Sequence, residues 1–215
     1  MSFAALEAHE SEHSLSNFGT LPALPSDGVG DGTIVLILPG EQGFWDHVTA
    51  QPEFNDQQDH PLDRWSKRVI TEIADATGGR PLFPFGDPVR PFFTWAIRSG
   101  RAWQSPVVLL VHEQAGLMVS YRGAILLPDL NVTQTQSVKP CDTCADKPCL
   151  TACPAKALNG DGYDLDACHA FLETERGKTN LLKGCEVRRS CPVSKIYGRS
   201  DKQSAFHMER FHPCR

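Results

Sequence analysis

All eight cysteines of this chain fall within its last 75 residues, from Cys141 to Cys214. No other feature narrows the possible folds as far, because a segment that short buries too little apolar surface to fold well on side-chain packing alone. Its thiols therefore have to be read first. Between Met1 and Asn17 there are acidic residues and histidines in place of a basic flank and an apolar stretch, so the sequence predicts no secretory signal and a cytoplasmic location. Thiols stay reduced in that compartment, and clustered ones point to metal ligation before disulfides.

Cys141, Cys144, Cys149 and Cys153 are separated by two, four and three residues and are closed by Pro154. A tight loop with such spacing lets soft thiolates converge on iron held by bridging sulfide, whereas a zinc ribbon uses paired CxxC elements with four ligands in all. The bacterial ferredoxin run has gaps of two, two and three, so Lys147-Pro148 in the longer middle gap is expected to kink outward. In such runs the fourth cysteine ligates the other cluster, which implies a second one. Downstream candidates are Cys168, Cys185 and Cys191, the last followed by Pro192. Crossed ligation assigns Cys141, Cys144, Cys149 and Cys191 to one 4Fe-4S cluster, and Cys153, Cys168 and Cys185 to the other. A dicluster pattern places the missing cysteine at position 188, where this chain has arginine. Cys214 can fold back to close the set; alternatively the second site holds a 3Fe-4S cluster, or a fourth iron with a ligand such as His207 or His212.

Charge is uneven along the chain. Residues 139–215 carry a balance of +3 and the rest −8. That is too weak and too dispersed for a nucleic-acid partner, which requires a concentrated basic stripe. Arg188, Arg189, Lys195, Arg199 and Lys202 read as a solvated face or a docking surface for an acidic redox partner protein. No apolar run approaches the ~18 residues of a membrane helix.

Residues 1–31 show no sustained period and read as a loosely ordered leader. Thr33–Leu38 is apolar on both parities, the pattern of a strand covered on both faces. Helical spacing predicts a short helix around Phe44–Val48, a longer one from Pro61 through Ala76, and another over Phe92–Arg98, while Pro81–Pro91 reads as an extended loop packed on the core. Pro106–His112 and Leu117–Leu127, joined by 113–116, read as a β-hairpin. The expected organisation is a leader (1–31), an α/β domain (32–130), a linker (131–140) and a cysteine domain (141–215).

Three residues of the α/β part are candidates for holding a ligand. Arg122, beside Tyr121 in an otherwise apolar strand, either meets an anionic or amide-bearing group or points outward, since a buried arginine needs a partner. His112, at a strand end, either orients a ligand or cofactor or caps a turn.

From Cys141 to Asn159 and from Tyr163 through Cys191-Pro192 the chain resembles the dicluster ferredoxin module of epoxyqueuosine reductase, in the four-cysteine run, in Leu165-Asp166-Ala167-Cys168, and in Gly184-Cys185 ahead of Cys191-Pro192. Residues 33–130 resemble the cobalamin-processing CblC-type proteins, chiefly in His112, Gly116-Leu117 and Tyr121-Arg122-Gly123 through Pro128. These resemblances imply an α+β chain: a nitroreductase-related, CblC-like α/β domain followed by a small ferredoxin-like iron-sulfur domain. They imply two clusters passing single electrons to a cobalamin or flavin held by the α/β domain near His112, Tyr121 and Arg122. The helical-repeat region by which epoxyqueuosine reductase grips tRNA is lacking, which disfavours a tRNA substrate. The alternative function is a non-catalytic electron carrier or redox-sensing module that docks a partner reductase.

Overall fold

The computed structural model describes residues 3–41, 43–130 and 136–212. In chain order, helix α1 (Phe3–Glu12) is followed by strands β1 (Leu15–Pro22) and β2 (Thr33–Pro39), helices α2 (Phe44–Thr49), α3 (Pro52–Asn55) and α4 (Pro61–Ala76), strand β3 (Arg80–Leu82) and helix α5 (Phe92–Arg98). Strands β4 (Ala102–Gln104), β5 (Leu110–His112) and β6 (Gly123–Leu127) come next. The cysteine region adds α6 (Pro140–Thr143), the short strands β7 (Leu158–Asn159) and β8 (Gly162–Tyr163), and helices α7 (Leu165–Leu172), α8 (Lys178–Lys183), α9 (Glu186–Ser190), α10 (Pro192–Tyr197) and α11 (Asp201–Phe211). The architecture is mixed α+β. No described helix is long and apolar enough to cross a membrane.

The chain divides into two units, neither continuous in sequence: Met1–Arg101 with Ser120–Ser137, and Ala102–Val119 with Val138–Arg215. The first is built on an antiparallel sheet in the order β1-β2-β6-β3. All seven residues of β2 are buried, as a run apolar on both parities requires. Helix α4 packs on β3 and β6 through Leu62, Trp65, Val69, Ile70 and Ile73, which recur at helical spacing and are all buried. Trp65 meets Phe44 edge-on at 5.5 Å. Arg68 reaches Glu53 at 2.6 Å, and Arg64 reaches Asp56 at 2.7 Å.

Two expectations fail in this fold. The leader expected over residues 1–31 is instead structural, since α1 and β1 bury Leu6, Leu15, Phe18 and Leu21, and β1 is an edge strand paired to β2. The hairpin expected from Pro106 to Leu127 splits. Strand β5 pairs with β4, and β6 pairs with β2 and β3. The physical reason lies in Val107, Val111 and Leu117, which are fully buried among cysteine-region residues rather than in the sheet of the first unit. Residues 102–119, expected in the α/β domain, thus group with the cysteine region.

Candidate functional site

In the second unit, proline and turn residues present the thiols. Cys141 follows Pro140 in the single turn of α6, and Cys144 ends that turn in extended conformation. Lys147 adopts a left-handed backbone (φ 40°) and leads into a 3-10 turn, Pro148–Leu150, that buries Cys149. The two extra residues of the middle gap are absorbed at this kink. Asp164 caps α7 by accepting from the Ala167 amide at 2.9 Å, which holds the turn carrying Cys168. Cys185 is the N-cap of α9, and Cys191 ends α9 while opening α10 with Pro192 in its first turn. Gly184 (φ 87°) precedes Cys185, and a Cβ there would lie 2.7 Å from the Ser204 Cβ on α11, so only glycine fits this approach.

Seven of the eight candidate thiols lie among the described residues, and they fall into two sets. Cys141, Cys144, Cys149 and Cys191 line one cavity of about 550 Å³, together with Pro106, Val111 and Leu117 from the 102–119 segment. Burial pushes the Cys141 and Cys149 thiols above the usual thiol range, and neighbouring sulfurs of the same set act in the same direction. Cys153, Cys168 and Cys185 form the other set. Burial raises the Cys168 thiol, the Tyr163 hydrogen bond opposes this, and Cys185 and Cys153 add to the rise. The Tyr163 hydroxyl donates to Cys168 Sγ at 3.3 Å. Cys214 lies outside the described residues.

A single apolar core joins the sets. Val107, Val111, Leu117, Cys149, Leu158 and Val187 are buried together, and Cys141, Cys191, Cys153 and Cys185 pack against them. Among the described residues, no three His, Cys, Asp or Glu side chains converge closely enough to hold a single metal ion. Four thiols lining one partly exposed cavity are soft donors of the kind an iron-sulfur cluster takes, and a metal would supply the positive charge that lets crowded thiolates ionise.

No family model matches the chain, and no curated protein or solved structure matches it either.

The ligand candidates outside the cysteines are placed differently. Arg122 is 9% exposed, and its guanidinium donates to Asp63 at 3.3 Å and to the Ser120 hydroxyl at 3.5 Å. The buried arginine, one residue ahead of β6, thus has a carboxylate of its own unit. Tyr121, in the same unit, is 8% exposed and tilts against Phe92. Its hydroxyl is buried without a hydrogen-bond partner among the described residues, and burial raises its pKa. His112 belongs to the second unit and is fully buried. Its Nδ1 accepts from the Gln114 and Ala115 amides at 3.1 and 3.4 Å, so it caps its turn. The sequence therefore suggested one ligand site from residues that the structure divides between two units. His212 is buried with its Nδ1 against His169 Nδ1. Arg188, expected on a solvated basic face, is instead half-buried and donates to the Leu117 carbonyl.

Sequence reading missed the contribution of residues 102–119. Gly116 carries a left-handed backbone (φ 55°), and a Cβ there would sit 2.5 Å from the Ser194 amide nitrogen. The Ser194 hydroxyl accepts from the Leu117 amide at 2.9 Å. Both polar groups of Leu117 are therefore held by residues flanking Cys191. Gly116→Val is expected to lift this segment off the cavity: strained backbone and overlap with α10 together cost roughly 2 kcal/mol or more. Hydrogen exchange of residues 105–118 should accelerate relative to β2.

Proposed function

We propose that the chain is an iron-sulfur redox protein that passes single electrons through two clusters. Cys141, Cys144, Cys149 and Cys191 would hold one, and Cys153, Cys168 and Cys185 would supply three ligands to the other. The observation that carries this reading is the division of seven thiols into two sets that alternate along the chain and pack against one apolar core. Cysteines adjacent in sequence, Cys149 and Cys153, fall in different sets, as do Cys185 and Cys191. A structural staple needs neither the second set nor the shared apolar packing, whereas electron exchange between two centres benefits from both.

A corrinoid or flavin in the first unit follows from the CblC-type resemblance, and the pairing of Arg122 with Asp63 gives it no independent support. A carrier that docks a partner reductase therefore stays as the second reading. Anaerobic titration with cobalamin or a flavin separates the two: a spectral shift supports a bound acceptor, and unchanged cluster absorbance supports the carrier.

The test of the relay itself is composition. Anaerobically reconstituted protein is expected to contain about seven to eight iron and as much sulfide per chain, the content of two clusters. Four iron would mean one cluster, and stoichiometric zinc without sulfide would overturn the reading.

A further inference from the structure

Helices α8 and α11 pack together in the second unit, and each turns one stripe of side chains toward a shared groove. On α8 the stripe is Lys178, Leu181 and Leu182; on α11 it is Lys202, Ala205, Phe206 and Glu209. Steps of three and four residues are the interval at which a helix presents one face to another helix. The groove measures about 600 Å³, and its floor is apolar. Helix α11 packs into its own unit through a different face, with Gln203 and Ser204 buried and Phe211 stacked on Tyr163 and His169. Leu182 stays 67% exposed. Two such stripes converging on one apolar floor make a seat for a third helix.

The ends of the groove differ in charge. A Cβ on Gly184 would lie 2.7 Å from the Ser204 Cβ, so the C-terminal end of α8 meets the N-terminal part of α11 and the two run antiparallel. With a rise of ~1.5 Å per residue on each helix, Lys178 falls opposite Glu209 at one end, and Lys183 and Lys202 fall at the other. Charge is balanced at the first end. Lys178 pairs with Glu175, and Glu209 pairs with Arg210, whose guanidinium lies over the Phe206 ring. At the second end, Lys183 and Lys202 form no ion pair among the described residues. The acids nearest them in sequence, Glu186 and Asp201, lie outside the groove in the first turns of α9 and α11, where the helix dipole favours negative charge.

We propose that the groove between α8 and α11 is a docking site for an amphipathic, acid-flanked helix of a partner protein. Its apolar stripe packs on Leu181, Leu182 and Phe206, and Lys183 and Lys202 set its orientation. A second copy of this chain fits less well, because two grooves face to face leave the apolar floor unfilled. A bilayer surface is flat and does not reach a recessed floor. The site goes beyond the redox reading and stands whether or not the thiols hold clusters.

The experiment is fluorescence anisotropy on reconstituted full-length protein with labelled peptides of ~15 residues, long enough to form a helix. One peptide has leucines at i, i+3, i+4 and i+7 with glutamates around them, the second has lysines in place of the glutamates, and the third scrambles the first. The acidic amphipathic peptide is expected to bind more tightly than the other two, with an affinity that falls as salt is added. Leu182→Glu should weaken it at least about tenfold, the worth of burying one leucine. Lys183→Glu and Lys202→Glu should each shift the preference toward the basic peptide. All three positions are exposed, so the substitutions leave the packing of the unit alone; should one variant lose its fold, the others decide. Equal affinity for the acidic and scrambled peptides overturns the docking site, as does a Leu182→Glu variant that binds the acidic peptide as tightly as wild type. A concentration-dependent dimer abolished by Leu182→Glu would assign the groove to a second copy, and binding to vesicles of anionic phospholipid abolished by it would assign the groove to a membrane surface; either overturns the helical partner. Wild type that binds the acidic peptide but carries no iron or sulfide refutes the relay reading alone.

Discussion

Stripping metal with a chelator, or replacing Cys149 by serine, is expected to unfold the second unit while the first stays folded. The distribution of buried bulk explains why. Trp65, Trp95, Phe44, Leu6, Leu15, Leu21, Ile34, Leu36, Ile37, Leu38, Ile70 and Ile73 are the largest fully buried side chains, and every one belongs to the first unit. The second unit buries mainly valines, leucines and alanines around its thiols, with no fully buried Phe, Tyr or Trp among its described residues. Its helices are short as well: α6, α8, α9 and α10 each run to six residues or fewer, and isolated helices of that length are unstable in water. On the iron-sulfur reading proposed above, metal ligation supplies the difference. Structural zinc contributes about 10–16 kcal/mol to small peptides on binding, and a term of that order is comparable with the whole ~5–15 kcal/mol by which ordinary domains are stable.

Hydrogen exchange read by mass spectrometry measures this directly. Protection should vanish from 138–212 and, at the same time, from 102–119, while β2, β6 and α4 keep theirs. The joint loss is the discriminating part, because residues 102–119 sit between two segments of the first unit in sequence. If chelation released the cysteine region and left Val107, Val111 and Leu117 protected, the shared core would not be the cooperative element. If Cys149→Ser kept its full iron content, Cys149 would not be a ligand.

How much of this was legible depended on whether local pattern and burial agree. Helices α2, α4 and α5 follow from spacing, because each buries residues at the helical period, and strand β2 follows from a run apolar on both parities. Strand β1 did not, for a definable reason. Its pairing with β2 shifts register between Asn17 and Thr20, and the bulge puts Leu15, Phe18 and Leu21 inward at intervals of three instead of two. An irregular strand of this kind looks like a loop to any periodicity argument. The run Val107–Val111 failed in another way: its apolarity correctly signalled burial, but it carries no information about which partner does the burying. The cysteine spacing was more informative, since it grouped Cys141, Cys144 and Cys149 with the distant Cys191, and these four line one cavity. Tyr163 was named only as part of a motif, and nothing in its spacing indicated that its hydroxyl would reach Cys168.

Glu10 should make the first unit lose stability as pH rises, the reverse of an ordinary salt-bridged carboxylate. It lies on α1 with 1% of its surface exposed. Asn17 donates to the carboxylate, Oε1 has no hydrogen-bond partner among the described residues, and burial pushes the pKa up from 4.5 to about 8. The folded state therefore favours the neutral acid. Below the unfolded value of 4.5 both states are protonated and no penalty exists. Between 4.5 and about 8 the unfolded chain releases a proton that the folded one keeps, so stability falls by up to about 1.4 kcal/mol per pH unit. Above that window the penalty is complete, at most about 5 kcal/mol. Glu10→Gln keeps the shape and removes the charge. Urea unfolding followed by tryptophan emission should show little difference between the two proteins near pH 5 and a variant more stable by a few kcal/mol near pH 8. Trp45, Trp65 and Trp95 report on the first unit, with only Trp103 in the second. Parallel stability curves for the two proteins across this range would mean that Glu10 ionises freely in the folded state, and that α1 opens to let water reach it.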